Sequence, residues 1–276
     1  MSSDRKDFAM KLRPPAIPLI TIDPNFSVWS PSDKLYDSTP IHWTAKPNTL
    51  RGLVNIDGEE LRFMGVGRLP VINQTFFDMS ALVTDYRFEN EKISLEISFF
   101  TSLFTHDLYR LSRPVSYVSA KYHSKDGQEH KVSVKLSASE ELCINLKGEE
   151  SVKAEKLTLD KGISAIRMGS KSQKVLWRSG DDLRIDWGYL YLATKGNSVT
   201  DVFCDEEMTF ISLNVQLNEG DTEYFAVAYD DIYSINYFGD SRRGYWTERW
   251  STIEDAIASA LDESHEILEK CRNFSA

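Results

Sequence analysis

The sequence predicts an all-β fold: an antiparallel β-sandwich with an extended N-terminal arm and a C-terminal amphipathic helix. Three observations carry this. Runs of alternating polar and apolar residues recur from about residue 53, the period of a half-buried strand. Turn dipeptides such as Asp57-Gly58 and Asp126-Gly127 interrupt them at short spacing. Helical periodicity is confined to the last stretch, Trp250 to Cys271.

Residues 1–12 are polar and charged and read as a flexible tail. Residues 13–50 read as an irregular arm, because Arg13-Pro14-Pro15-Ala16-Ile17-Pro18 fixes φ and blocks helix. Within it, Leu19 to Trp29 reads as an edge strand or extended packing segment. Residues 51–244 form the sandwich. Leu53–Ile56 and Glu60–Phe63 flank Asp57-Gly58 as one hairpin, and Asp85–Phe88 with Ile93–Ile97 forms a second. Val115–Tyr122 and Lys131–Leu136, about Asp126-Gly127, read as a third. Further strands are expected at 163–166, 182–185, 189–193, 209–216 and 223–229. In residues 245–276, Ile253, Ala256, Ile257, Ala260, Leu261, Ile267 and Leu268 share one helix face, with Ser251 or Thr252 as cap.

The chain has 276 residues, 42 acidic and 32 basic, for a net charge of −10. Such an acidic surface has no bulk attraction for nucleic-acid phosphates, so no nucleic-acid partner is expected. No apolar run reaches the roughly 18 residues of a membrane span. The three cysteines, Cys143, Cys204 and Cys271, lack zinc-knuckle or redox-dithiol spacing. The five histidines show no paired metal-ligand spacing and read as surface groups, although His123 and His130 would face each other across the third hairpin. Asp181-Asp182, Asp205-Glu206-Glu207 and Asp230-Asp231 read as solvated turns. Gly65-Val66-Gly67-Arg68-Leu69-Pro70 begins like a dinucleotide loop, but proline and the lack of a following helix pattern defeat it. No cofactor and no metal are expected, and no nucleophile elbow marks a catalytic residue.

The aromatic clusters are the most informative feature. Trp29, Tyr36, His42 and Trp43 lie in the arm, and Asp186-Trp187-Gly188-Tyr189 lies at a strand start. Tyr233, Tyr237, Phe238, Tyr245, Trp246 and Trp250 precede the helix. Aromatic side chains beside Asp and His bind sugars, and they also form interfaces between domains.

Several long segments resemble the glutaminase A family of fungi and Bacteroidetes. They are Arg13-Pro-Pro-Ala-Ile-Pro-Leu-Ile-Thr-Ile-Asp-Pro-Asn-Phe-Ser-Val-Trp-Ser30, Leu35-Tyr-Asp37 with His42-Trp-Thr44, and Arg62-Phe-Met-Gly65. Leu111-Ser-Arg-Pro-Val-Ser-Tyr-Val118, Asp186-Trp-Gly-Tyr-Leu-Tyr-Leu192 and Ala228-Tyr-Asp-Asp-Ile-Tyr-Ser-Ile235 continue the likeness. The resemblance implies hydrolysis of L-glutamine to glutamate and ammonia by a longer, exported protein. Its architecture is similar to glycoside hydrolases, a supersandwich-like β domain followed by a helical α/α toroid. By that resemblance this chain is the non-catalytic sandwich portion, its last helix leads to the absent toroid, and its location is secreted or periplasmic. The chain itself shows no apolar signal core, which leaves a cytoplasmic location open. No catalytic residue carries over. Trp29, Asp37, His42, Trp43, Asp186, Trp187 and Tyr189 are the expected interface or pocket-rim residues, being aromatic or polar groups in irregular segments. Two alternatives remain: an accessory sandwich of a carbohydrate-active enzyme, and a stand-alone interaction module that buries its helix stripe against a partner.

Overall fold

The structure, a computed structural model, describes residues 14–274, so the tail expected at 1–12 lies outside the described residues. The arm is more regular than expected. β1 (Ile17–Asp23) and β2 (Phe26–Ser30) form a two-stranded antiparallel ribbon about Pro24. Then β3 (Leu50–Ile56) and β4 (Glu59–Met64) form the first expected hairpin, with Asp57 and Gly58 both at positive φ. β5 (Asn73–Met79), β6 (Val83–Glu89) and β7 (Ile93–Thr101) follow as a meander that contains the second hairpin. A short helix, α1 (Leu108–Ser112), leads into β8 (Val115–Ser124). The strands β9 (Val132–Ser139), β10 (Val152–Leu159), β11 (Ile163–Ser170), β12 (Tyr189–Thr194), β13 (Ser198–Asp205), β14 (Met208–Leu217) and β15 (Thr222–Asp230) complete the two main sheets. A small hairpin, β16 (Ile235–Tyr237) with β17 (Asp240–Arg242), precedes α2 (Ile253–Asp262) and α3 (Ser264–Asn273).

An eight-stranded sheet has the order β10-β11-β12-β15-β8-β7-β6-β5, and a five-stranded sheet the order β13-β14-β9-β3-β4. The inner faces bury one core between them, with Val54, Leu136 and Leu213 opposite Leu95, Val118 and Val227. The central strands of the larger sheet are buried on both faces. On β8, Val118, Ala120 and Tyr122 enter the sandwich core, while Val115 and Tyr117 turn to the opposite side. That opposite side is covered by α2 and α3. Ile253, Ala256, Ile257, Ala260, Leu261, Ile267 and Leu268 pack there with Phe100, Tyr117, Tyr191 and Ala226. The expected apolar stripe is therefore covered by the chain's own sheet. This removes the basis for a stand-alone module that offers Ile257 and Leu261 to a partner. Among the described residues no helix is long and apolar enough to cross a membrane.

Three expectations need correction. Val115–Tyr122 and Lys131–Leu136 do not pair. β8 lies between β7 and β15, and β9 lies between β3 and β14 in the other sheet. Both have two strand partners already, and the intervening residues form a crossover rather than a tight turn. His130 fastens that crossover: its Nδ1 meets Asp57 at 2.9 Å and its Nε2 meets Asp126 at 3.0 Å. Hydrogen bonds to these two carboxylates raise its pKa, so His130 is a buried structural clamp, whereas His123 is exposed on β8. Asp182–Ile185 is a loop and no strand. The Arg184 backbone N–H donates to Asn145 Oδ1, and its buried guanidinium donates to the Asn145 and Pro47 carbonyls, which takes the segment out of sheet pairing. The C-terminal helix is two helices broken at Glu263, whose carboxylate accepts from Arg110 Nη2 at 2.6 Å and from Arg113 Nη1. Thr252 caps α2 by accepting the Asp255 N–H at 3.1 Å.

Candidate functional site

The residues singled out in the sequence fall in separate places. Trp29 lies half-buried on β2 with its indole N–H buried and unpaired, and Asp37 is exposed in the turn after it. His42 is fully buried, with Nε2 at 2.8 Å from the Pro24 carbonyl and Nδ1 at 2.9 Å from Thr44 Oγ1. Burial pushes its pKa down, so it works as a neutral brace and not as a surface group. Trp43 is 53% exposed, yet its indole donates to the same Pro24 carbonyl at 2.6 Å. Together they fix the β1–β2 turn. Asp186 is buried beside Arg178, 3.6 Å away, and burial raises its pKa. Trp187 faces the other way: its indole donates to the Asp231 carbonyl at 2.8 Å. Tyr189 lies under the Arg167 guanidinium, 4.8 Å from its ring centre. The structure thus gathers Trp187 and the turn braced by His42 and Trp43, and it leaves Trp29, Asp37 and Tyr189 outside that group.

Where they meet is a cleft of about 240 Å³. The β1–β2 turn supplies Asp23 and Phe26, the loop before β12 supplies Trp187, the end of β15 supplies Tyr229 and Asp231, and Trp246 closes one side. The turn is tied to the loop by Ile185 N–H donating to the Asn25 carbonyl at 2.9 Å. Tyr229 is buried, and its hydroxyl donates to the Trp187 carbonyl at 2.7 Å. Gly188 lets the two segments meet, since its φ is +81° and a Cβ there would lie 2.0 Å from the Asp230 carbonyl oxygen. The chain then reverses sharply, with Tyr233 N–H donating to the Asp231 carbonyl at 2.5 Å across Ile232 at φ 60°. A β-branched residue in the left-handed region is strained, and the Asp230 carboxylate stabilises it by accepting the Ile232 N–H at 3.0 Å.

Asp230-Asp231 is therefore not a solvated turn. Burial, with repulsion from Asp230 and Asp23 and against a hydrogen bond from Ser234, pushes the Asp231 carboxyl up to about 6. Desolvation likewise raises Asp230 and, at the more exposed β1–β2 turn, Asp23. Asp23 and Asp231 make no ion pair among the described residues, and no basic side chain lines the cleft. A raised carboxyl pKa favours the folded state while protonated, and that contribution is lost as pH rises through about 6. Asp231→Asn is accordingly expected to stabilise the protein by ~2 kcal/mol at pH 7.5. The gain is expected to vanish below pH 4. Thermal melts of both proteins across that range check it, and equal melting temperatures at pH 7.5 would refute it.

Next to the cleft the chain presents an apolar surface. Tyr233, Ile235, Tyr237 and Tyr245 are exposed around the small β16–β17 hairpin, and Phe238 at its tip is 95% exposed. Sequence reasoning finds these aromatic residues but misses Asp23 and Asp231, which lie far apart in the chain. The doubled acid at 230–231 is the only local signal.

Residues 2–74 match a domain of unknown function (DUF4964). Glutaminase A of Aspergillus oryzae (strain ATCC 42149 / RIB 40) is 24% identical over 193 residues, which is 66% of this chain and 27% of that protein. The likeness is a distant glutaminase-like relationship, and this chain spans about a quarter of that relative's length. A second domain of unknown function (DUF5127) matches at residues 83–212 and 197–276, more than half of the chain, and the protein belongs to that family.

Proposed function

We propose that this chain is the N-terminal, non-catalytic sandwich portion of a glutaminase-like amidohydrolase that converts L-glutamine to glutamate and ammonia. It packs on a helical α/α domain of the same parent chain and shapes one rim of its pocket. The observation that carries this reading is the exposed aromatic hairpin beside the cleft. A tip phenylalanine open to water costs solvation unless a partner covers it. This chain covers 27% of its distant glutaminase relative, which supports a partner domain in a longer parent; that this domain is helical and the parent exported is what the family resemblance implies. The rim is then Trp43, Trp187 and the hairpin, rather than the whole set marked in the sequence.

The test is ammonia release from L-glutamine by this chain and by the longer protein of the full reading frame. The longer protein is expected to be active and this chain inactive. In the longer protein, Phe238→Asp is expected to lower activity at least about tenfold, as loss of a buried interface anchor does. If the longer protein leaves glutamine intact and cleaves a glycoside, the accessory sandwich of a carbohydrate-active enzyme takes its place.

A further inference from the structure

We propose that the cleft between the β1–β2 turn and the end of β15 binds an organic primary ammonium group, held by Asp23 and Asp231 against Trp187, Tyr229 and Trp246.

Two carboxylates line a cleft of about 240 Å³ that has no basic side chain in its wall. The nearest cations serve other groups. Arg243 lies over the Trp246 ring at 5.7 Å, and Arg243 and Arg167 act on Asp230, not on Asp23 or Asp231. Asp231 is half-buried and Asp23 exposed, and the repulsion between their charges, with no counter-ion among the described residues, costs free energy. A cation placed between them recovers it. Asp231 also accepts a hydrogen bond from Ser234, and Asp23 accepts the Asn25 N–H at 2.7 Å, so both carboxylates are fixed in place before a ligand arrives.

The walls select the kind of cation. Trp187, Trp246 and Tyr229 make part of the lining aromatic, which favours a cation that carries a carbon chain over a fully hydrated one. A bare metal ion is strongly hydrated and has no carbon body for these rings to cover, and among the described residues no group of three or more His, Cys, Asp or Glu is placed to hold one. The volume suits a molecule of amino-acid size. Ammonium on a small organic body can come from a free amino acid or from a lysine side chain of a packed segment, and the chemistry of the cleft is the same for both.

Binding of this kind needs only the cleft and is independent of the amidohydrolase reading. Its test is binding to this chain at pH 7.5, followed by calorimetry and by tryptophan emission. The probes are n-propylammonium chloride, L-glutamine and N-acetyl-L-glutamine, with potassium chloride at matched ionic strength as background. Saturable binding is expected for the first two and not for the acetylated compound. Tighter binding of glutamine assigns a free amino acid, and tighter binding of propylammonium assigns a lysine side chain. Asp23→Asn and Asp231→Asn are each expected to weaken binding about tenfold or more. Asp231→Asn is also expected to be more stable than the parent, so its loss of binding cannot come from unfolding. Failure of both amines to saturate, or equal binding of N-acetyl-L-glutamine, would overturn the proposal. Either result holds whether or not the longer protein hydrolyses glutamine.

Discussion

Glu263→Ala is expected to destabilise the protein by about 3–5 kcal/mol, the cost of stranding buried charge. Glu263 sits at the break between α2 and α3 and faces two guanidinium groups from α1 and its C-terminal end. Arg113 is only 1% exposed, stacks over Trp250 at 5.0 Å and donates to Tyr117 Oη at 2.6 Å. Arg110 also pairs with Asp107, the N-cap of α1. Burial would raise the Glu263 carboxyl, but hydrogen bonds from Arg110 and the charge of Arg113 outweigh it and hold its pKa below the usual range. Removing the carboxylate leaves Arg113 charged, buried and without a counter-charge. The melting temperature is expected to fall by about 10 °C. Glu263→Gln keeps one acceptor and is expected to fall in between. A change below about 2 °C for the alanine variant would show that the helices hold to the sheet by their apolar faces alone.

Gly188→Ala is expected to cost about 2–5 kcal/mol and to open the cleft. The left-handed backbone contributes about 1–2 kcal/mol of that for a residue with a Cβ. The remainder is overpacking, since the new methyl group would meet the Asp230 carbonyl at 2.0 Å, where only backbone movement relieves it. That movement displaces Asp231 and the Trp187 indole hydrogen-bonded to its carbonyl. A red-shifted tryptophan emission is expected together with the lower melting temperature. Gly58→Ala is the control: its φ is also positive, at +95°, but nothing lies within 4 Å of the added carbon. It is expected to cost only about 1–2 kcal/mol and to leave the emission unchanged. Equal losses in both variants would mean that the close approach at Asp230 relaxes without consequence.

Local pattern makes some elements legible and hides others. Asp57-Gly58 marks its hairpin correctly because a two-residue turn sets the register of its own strands. Asp126-Gly127 does not, because longer connections serve hairpins and sheet crossovers alike. The edge strands β10 and β13 give little signal: no residue of either is fully buried, and β13 exposes Val199 and Val202 beside Asp201, so the contrast between faces is weak. The arm reads as irregular because its prolines dominate the local signal, yet β1 and β2 pair with each other. His42 and His130 read as surface groups, since a lone histidine gives no sign of the acceptors that tertiary folding brings to it.

The all-β class, most strand positions, the apolar stripe of the C-terminal helices and the acidic surface are all readable from the chain. They follow from composition and from periods of two and three to four residues, which are local properties. The sheet that each strand joins is not local, nor is the covering of the stripe by β8 and its neighbours or the helix break at Glu263. The same holds for the meeting of Asp23 and Asp231. More than 200 residues separate the two, and long-range packing against a common core, not sequence spacing, sets the distance between them.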